Sequence, residues 1–311
     1  LYDADMSESY LKMILNSRVY DVASETPLDF AKNLSRRLDN SIWLKREDLQ
    51  SVFSFKLRGA YNKIANLDAA SCANGIIAAS AGNHAQGVAL AAHHRGIKAL
   101  IVMPRTTPGI KVEAVRALGG KTLLHGDTYN EACDHALQLA AERGMVFIHP
   151  YDDPEVIAGQ GTIAMELLRQ HRDTLDAVFV PVGGGGLIAG IAAYVKAVRP
   201  EIRVIGVEPD EAPCMTEALK RKRRVVLDQV GIFVDGVAVR QAGKEPYRLA
   251  RKYVDDMILV SVDEICAATK DIFDDTRAMV EPAGALLKFL SSMGRNWNIS
   301  LFHYRKIGRA S

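Results

Sequence analysis

The chain has 311 residues, of which 48% are hydrophobic and 24% charged, a composition typical of a globular protein with about two domains. A net charge of +2 excludes a strong general attraction to nucleic acid or to a membrane surface. One basic run, residues 220–224, is interpreted as a solvated helix end. No apolar run reaches membrane-spanning length. Together with the small net charge, this predicts neither a nucleic-acid partner nor a membrane partner.

The cysteines and the first residues bear on metal binding and on the compartment. Cysteines occur at four widely separated positions with no histidine at ligand spacing, so the sequence predicts neither a zinc site nor disulfides. Scattered thiols favour a reducing compartment, and we expect a cytoplasmic protein. Because the chain does not begin with Met, an organellar form with a cleaved transit peptide stays open.

Short apolar runs rich in β-branched residues alternate with longer segments of helical pattern. Buried strands are predicted at residues 75–79, 99–103, 122–124, 146–148, 177–180, 204–207 and 258–262. Helices are predicted at residues 87–93, 110–118, 129–143, 155–170 and 187–198. Asp127 is the predicted N-cap of the third helix, and Gly144 is predicted to follow its last residue. This alternation predicts α/β architecture with parallel sheets covered by helices on both faces.

Two loops that follow predicted strands are unusually rich in small residues. Residues 80–87 read S-A-G-N-H-A-Q-G and would leave N–H groups free at a helix start, where a carboxylate or phosphate binds. A simple turn capped by Ser80 or Asn83 stays equally open. Residues 181–190 contain four consecutive glycines, which are conformationally costly, and this run favours a backbone cradle for phosphate.

The glycine run also fits a second kind of site. Gly184, Gly186 and Ala189 match the G-x-G-x-x-A spacing of dinucleotide sites, and Glu208 lies where a ribose-binding acid would be expected. That interpretation explains neither the asparagine turn nor Lys56, which lies in V-F-S-F-K-L-R-G-A-Y. A lysine can form a Schiff base with an aldehyde cofactor, and pyridoxal phosphate (PLP) needs an anchored phosphate.

Seven motifs resemble, in order and spacing, those of the biosynthetic threonine dehydratases. They are L-K-R-E-D (44–48), S-F-K-L-R-G-A (54–60), S-A-G-N-H-A-Q-G (80–87), V-I-A-G-Q-G-T (156–162), P-V-G-G-G-G-L (181–187), D-G-V-A-V (235–239) and E-P-A-G-A (281–285). The resemblance implies the tryptophan-synthase-β-like PLP fold, fold type II, with two open twisted α/β domains. Residues 1–70 and 150–285 would form the large PLP-binding domain, and residues 71–149 the small inserted domain.

The resemblance also implies residue roles. Lys56 would carry PLP and then shuttle the proton at the substrate Cα, with Phe55 packed near the ring. Gly236 would lie beside the ring and Glu281 near its nitrogen side. The phosphate would be bound by Gly183, Gly184, Gly185, Gly186 and Leu187. The substrate carboxylate would be held by Ser80, Ala81, Gly82, Asn83 and His84, of which Asn83 would also bond the pyridine 3′-oxygen.

The implied activity is that of a PLP-dependent ammonia-lyase in isoleucine biosynthesis. It would convert L-threonine to 2-oxobutanoate and ammonia, with L-serine as a secondary substrate, in a homo-oligomer (dimer or tetramer). Related serine racemases have Ser-Ser-Gly-Asn-His in this turn, and their second serine transfers a proton. Ala81 cannot do so, which disfavours racemisation, although a serine dehydratase or racemase stays an alternative. The spacing from Glu208 and Asp210 to Cys214 differs from the racemase metal pattern, and no metal is predicted.

The chain departs from the dehydratase pattern after Ala285. It has no S-G-A-N motif, whose serine bonds the pyridine nitrogen in that family. Residues 286–311 instead resemble part of an ACT-like regulatory domain, with W-N-I-S-L-F-H-Y-R at 297–305. An internal deletion, a missing disordered stretch and a rearranged tail stay open as explanations. A deletion would leave residues 299–302 as an exposed apolar strand without its usual neighbours. A catalytically impaired PLP-fold protein is therefore a further alternative.

Overall fold

The computed structural model describes residues 2–231, 233–285 and 298–303. The helices are α1 (Tyr2–Leu15), α2 (Lys32–Leu38), α3 (Lys56–Ala65), α4 (Asn83–His94), α5 (Gly109–Ala117), α6 (Tyr129–Arg143), α7 (Pro154–Gln170), α8 (Gly186–Val198), α9 (Cys214–Lys220), α10 (Lys244–Tyr253) and α11 (Val262–Thr276). The strands are β1 (Leu28–Phe30), β2 (Ser41–Arg46), β3 (Ile76–Ala79), β4 (Ala99–Met103), β5 (Lys121–Leu124), β6 (Val146–Phe147), β7 (Ala177–Pro181), β8 (Arg203–Pro209), β9 (Asp256–Val260) and β10 (Asn298–His303). None of the described helices is long and apolar enough to cross a membrane.

The smaller sheet is parallel throughout, with strand order β5-β4-β3-β6. Its two inner strands, β3 and β4, are apolar and buried on both faces. In β3, Ile76 and Ala78 pack in a core with α3, α4 and α5, whereas Ile77 and Ala79 pack against α6. Successive side chains of a strand point to opposite faces, so a continuous apolar run is what a sheet covered on both sides requires.

The larger sheet has six strands in the order β1-β2-β10-β7-β8-β9. The pair β1–β2 is antiparallel and the other pairs are parallel, so the carboxyl ends of β2, β10, β7, β8 and β9 lie at the same edge. Helix α3 crosses close to α7 because two glycines meet: a Cβ on Gly159 would lie 2.8 Å from the Cα of Gly59. This close approach places the first turn of α3, with Lys56, beside the larger sheet.

All seven predicted strands are confirmed as β3 to β9, and the five predicted helices as α4 to α8. The prediction that Asp127 caps α6 is wrong, because Thr128 caps this helix and forms a capping box with Glu131. Gly144 ends α6 in the left-handed conformation, as predicted. The smaller sheet lies within residues 71–149, and the domain boundaries themselves stay a prediction.

The prediction of an exposed tail strand at residues 299–302 is wrong. The segment lies in β10, in the interior of the larger sheet between β2 and β7. Ile299 and Ser300 are both fully buried. The rest of the predicted ACT-like fragment, residues 286–297 and 304–311, lies outside the described residues.

Candidate active site

Lys56 opens α3, and its side chain is half-buried. Its amine donates a hydrogen bond to the carbonyl of Pro150 at 3.2 Å and lies 5.4 Å from the ring centre of Phe55. Burial lowers the pKa of the amine from 10.5 to about 8, and the charge of Glu281 opposes part of this shift. About a tenth of this amine is therefore uncharged at pH 7, compared with well under a thousandth of a free lysine, and the uncharged amine is the state that attacks an aldehyde.

A buried network of charged side chains holds α3 in place. Arg58 donates to Glu47 at 2.8 Å, and Lys45 donates to Glu166 at 2.6 Å. Arg58 also contacts Glu166, so the four side chains link β2, α3 and α7, and all four are fully buried. Removing one member would leave an uncompensated buried charge, so the network fixes the start of α3.

The glycine loop presents backbone donors at the start of α8. Its carbonyls accept hydrogen bonds from within the chain: Gly183 O from Cys214 Sγ, Gly184 O from Gly243 N, and Gly185 O from Ala189 N. In contrast, the N–H groups of residues 183–187 donate to no other residue that the structure describes. A run of free N–H groups at a helix N-terminus is a site for a phosphate-sized anion.

Protein atoms fill the space behind this loop. A Cβ on Gly184 would lie 2.4 Å from ring atoms of Tyr151, and one on Gly183 would lie 3.0 Å from the Cα of Val237. Gly185 has a φ of +92°, in the left-handed region that favours glycine. The glycines are therefore required by packing and backbone conformation as well as by any ligand.

The asparagine turn joins β3 to α4 across the cleft from the glycine loop. The N–H groups of Ala81, Asn83 and His84 donate to no described residue, whereas Gly82 N donates to Ser80 Oγ at 3.2 Å. These donors and the start of α4 suit a carboxylate.

Asn83 also joins the two halves of the site. Its side chain donates to Glu281 Oε2 at 2.9 Å. A Cβ on Gly236 would lie 2.4 Å from the other oxygen of Glu281, so Asn83, Gly236 and Glu281, three of the four residues that the resemblance places around the cofactor ring, are neighbours.

His84 is buried and held in one tautomer. Its Nε2 lies 2.9 Å from the carbonyl of Ile148, so Nε2 carries the proton and donates it. Burial first, and then the charge of Lys56, lowers the pKa of this imidazole to about 3. His84 is therefore neutral at ordinary pH and cannot serve there as a proton donor of the imidazolium type.

The segment after β6 contacts every part of the site and was missed by sequence reasoning. Ile148 O accepts from His84, Pro150 O accepts from Lys56, and Tyr151 lies behind Gly184. The only available signal was its position after a predicted strand, because ligands in such sheets bind beyond the carboxyl ends of strands.

Glu208 does not fit the role of a ribose-binding acid. It is fully buried, and its carboxylate accepts from the N–H groups of Met215 and Thr216 at 2.8 Å. Its oxygens thus cap free N–H groups at the start of α9. Within the part of the chain that the structure describes, no group of three His, Cys, Asp or Glu side chains converges as metal ligands.

A family model described as pyridoxal-phosphate dependent enzyme matches residues 19–288. The chain belongs to this family. A second model, described as the C-terminal regulatory domain of threonine dehydratase, matches residues 276–311. L-threonine dehydratase biosynthetic IlvA of Burkholderia multivorans is 58% identical over 283 residues, which are 90% of this chain and 56% of that protein. The chain thus spans about half the length of the curated relatives it matches.

Solved structures agree with this family. The processed form of threonine deaminase isoform 2 from Solanum lycopersicum matches with a TM-score of 0.96 and 48% identity, over 98% of this chain and 86% of that chain. Maize serine racemase matches with a TM-score of 0.91 and 30% identity, over 96% of this chain and 94% of that chain. The fold type II α/β architecture is confirmed, and within the PLP family the chain is a member of the threonine dehydratases.

The residues present fit PLP. The site supplies a lysine amine with a lowered pKa, a run of free N–H groups for a phosphate, and the Asn83–Glu281 pair between them. Ser300 does not replace the serine of the missing S-G-A-N motif. It lies three residues before the end of β10 and is buried within the sheet, so it is about 10 Å from the ligand-binding edge.

Proposed function

We propose that the chain is a PLP-dependent ammonia-lyase that converts L-threonine to 2-oxobutanoate and ammonia, with L-serine as a secondary substrate. The observation that carries the proposal is the half-buried Lys56 amine, with a pKa of about 8, which donates to Pro150 O. The next residue, Tyr151, packs against Gly184 in the loop with the free N–H groups. The names of the matched dehydratase and deaminase relatives support threonine as the substrate.

Bound PLP would act as the electron sink for the substrate Cα. The amine of Lys56 would hold the cofactor and then take the proton from Cα. The N–H groups of residues 183–187 would bind the phosphate, and in the turn of residues 80–84 the free N–H groups of Ala81, Asn83 and His84 would bind the substrate carboxylate. Asn83 and Glu281, which contact each other, would hold the ring from one side, with Gly236 and Phe55 packed against it.

The same turn favours elimination over racemisation. Racemisation needs a second proton-transfer group on the face opposite Lys56. Position 81 is an alanine, and His84, the titratable residue of the turn, has a pKa lowered to about 3. Neither residue can deliver a proton near neutral pH, which supports the dehydratase over the serine racemase alternative.

The proposal includes a homo-oligomeric state, dimer or tetramer, and a cytoplasmic location. Relatives named chloroplastic and mitochondrial keep an organellar location as the alternative. Light scattering after size exclusion measures the oligomeric state directly, and a monomer at micromolar concentration would remove that part of the proposal.

The covalent bond between PLP and lysine is the first test. The purified chain mixed with PLP should absorb visible light, and borohydride should fix the cofactor onto one peptide, which mass spectrometry identifies. We expect the label on Lys56, with no label in Lys56→Ala. Lys63→Ala is the matched control, because Lys63 lies on the same helix but pairs with Asp153. Label on any other lysine contradicts the site.

The second test measures 2-oxobutanoate formed from L-threonine. Lys56→Ala should lose all measurable turnover, and Lys63→Ala should keep it. A chain that binds PLP on Lys56 but forms no oxo acid from threonine or serine would support the catalytically impaired alternative. Formation of D-serine from L-serine would favour the racemase.

A further inference from the structure

Strand β10 lies in the middle of the larger sheet. It pairs in parallel with β2 over Asn298–His303, and with β7 over residues 299–301. Ile299 and Ser300 are successive residues, so their side chains point to opposite faces, and both are fully buried. A strand that is buried on both faces and paired on both edges is an integral part of the sheet.

The sequence of this strand belongs to a different module from the sheet around it. The PLP enzyme model ends at residue 288, and only the regulatory-domain model covers residues 298–303. Strands β2 and β7, on either side, both lie within the PLP enzyme model. A segment of regulatory type therefore occupies an interior position in a catalytic sheet.

The position matters because the two neighbours of β10 lead into the two halves of the site. The chain runs from β2 toward Lys56, and from β7 into the glycine loop. Paired strands lie about 4.8 Å apart, so one strand between them sets β2 and β7 about 10 Å apart. The occupant of this slot thus sets the spacing of the two strands that lead into the two halves of the site.

The fit of β10 in the slot is imperfect. Ser300 is the register partner of Trp43 on β2, and neither Ser300 Oγ nor Trp43 Nε1 has a hydrogen-bond partner among the described residues, although both atoms are buried. The ring of His171 contacts Trp43 at 5.1 Å, and its buried Nδ1 is also without a partner there. Buried polar atoms without partners cost free energy, and a cluster of three is unusual for a sheet with a matched strand.

We propose that the slot between β2 and β7 is a strand-acceptor site, and that its occupant is the regulatory-type segment Asn298–His303 of the same chain. The segment completes the sheet and sets the spacing of β2 and β7, although the hydroxyl of Ser300 is not matched to a polar group of the slot. This inference concerns the assembly of the sheet and does not depend on the proposed activity.

Hydrogen exchange of the full chain, followed by mass spectrometry, tests the location. Peptides covering residues 298–303 should exchange as slowly as those covering β7, and more slowly than those covering the edge strand β9. Ile299→Asp should abolish this protection and the binding of PLP. Leu259→Asp is the matched control, because Leu259 lies on β9 and is 43% exposed. Rapid exchange of residues 298–303 in the unmodified chain would overturn the proposal.

A second variant tests the mismatch of the Ser300 hydroxyl, and it should increase stability rather than reduce it. Ser300→Ala removes a buried hydroxyl without a partner, and we expect it to raise the midpoint of thermal unfolding by roughly 2–4 °C. An unchanged or lower midpoint would overturn the claim that Ser300 is mismatched to the slot. Neither measurement uses turnover, so a chain that shows the exchange pattern but forms no oxo acid would reject the proposed activity and keep this inference.

Discussion

The two turns that form the site, residues 80–84 and 181–187, offer ligands the same chemistry but differ in what lies behind them. Both leave N–H groups free at the start of a helix. Behind the glycine loop, a Cβ on Gly184 would meet the Tyr151 ring at 2.4 Å. Behind the asparagine turn, a Cβ on Gly82 would meet nothing within 4 Å.

The difference suits two tasks. A loop that is backed by an aromatic ring and hydrogen-bonded through its carbonyls is held firmly in place, which suits a cofactor that stays bound through every cycle. A turn with open space behind Gly82 can adjust to a substrate that enters and leaves. Its Asn83 side chain donates a hydrogen bond of 2.9 Å to Glu281.

The largest expected effect is at the glycine loop, where protein atoms fill the space behind the backbone. Gly184→Ala places a methyl group against the Tyr151 ring, and overpacking of this kind costs about 1–3 kcal/mol. We expect a similar loss of free energy of unfolding in urea. Because the loop must shift to relieve the clash, we also expect roughly 100-fold weaker PLP binding in an absorbance titration.

A double variant identifies the cause of that loss. Tyr151→Ala removes the ring that the new methyl group would meet, so Gly184→Ala combined with Tyr151→Ala should bind PLP more tightly than Gly184→Ala alone. Equal affinities of the single and double variants would mean that the ring is not the obstacle, and the comparison of the two turns would fail.

The second prediction concerns the contact that joins the turns. Asn83→Asp replaces an amide donor with a carboxylate beside Glu281, so a hydrogen bond becomes a like-charge contact. We expect the free energy of unfolding to fall by about 1–3 kcal/mol. Adding Glu281→Gln restores a donor on the other side, and the double variant should recover most of the loss. No recovery would show that the two side chains do not act as a pair.

The third prediction uses the pKa of Lys56, which lies between the turns. The group is a base with a lowered pKa, so its uncharged form dominates above about pH 8, rather than above 10.5 as in a free lysine. The initial rate of PLP attachment should therefore be about tenfold higher at pH 9 than at pH 7, and level off above that. A rate that keeps rising in proportion up to pH 10 would contradict the lowered pKa.

Most of the sheets could be predicted from sequence because β3 to β9 are apolar runs. Strand β2 could not, because it ends in Lys45 and Arg46, and charged residues argue against a buried strand. Lys45 can be buried there because Glu166, on a helix far along the chain, neutralises it and Thr26 O and Gln170 also accept its hydrogen bonds. The place of β10 depends in the same way on a slot whose walls, β2 and β7, are distant in sequence.

In the site, the sequence pointed to Lys56, the asparagine turn and the glycine loop, because the lysine and the turn side chains have a recognisable chemistry and the glycine run a rare backbone requirement. The structure brings these three together. Pro150 escaped prediction because it acts through a backbone carbonyl, which any residue has. Tyr151 escaped because the requirement for glycine at position 184 was ascribed to the ligand alone, whereas the ring imposes it too.

The smallest expected effect is at Gly82 in the asparagine turn. Gly82 has a φ of −136°, outside the left-handed region, and its added methyl group would enter open space. Gly82→Ala should therefore change the free energy of unfolding by no more than about 0.5 kcal/mol and leave PLP affinity unaltered. If Gly82→Ala weakened PLP binding as much as Gly184→Ala does, the two turns would not divide cofactor and substrate between them.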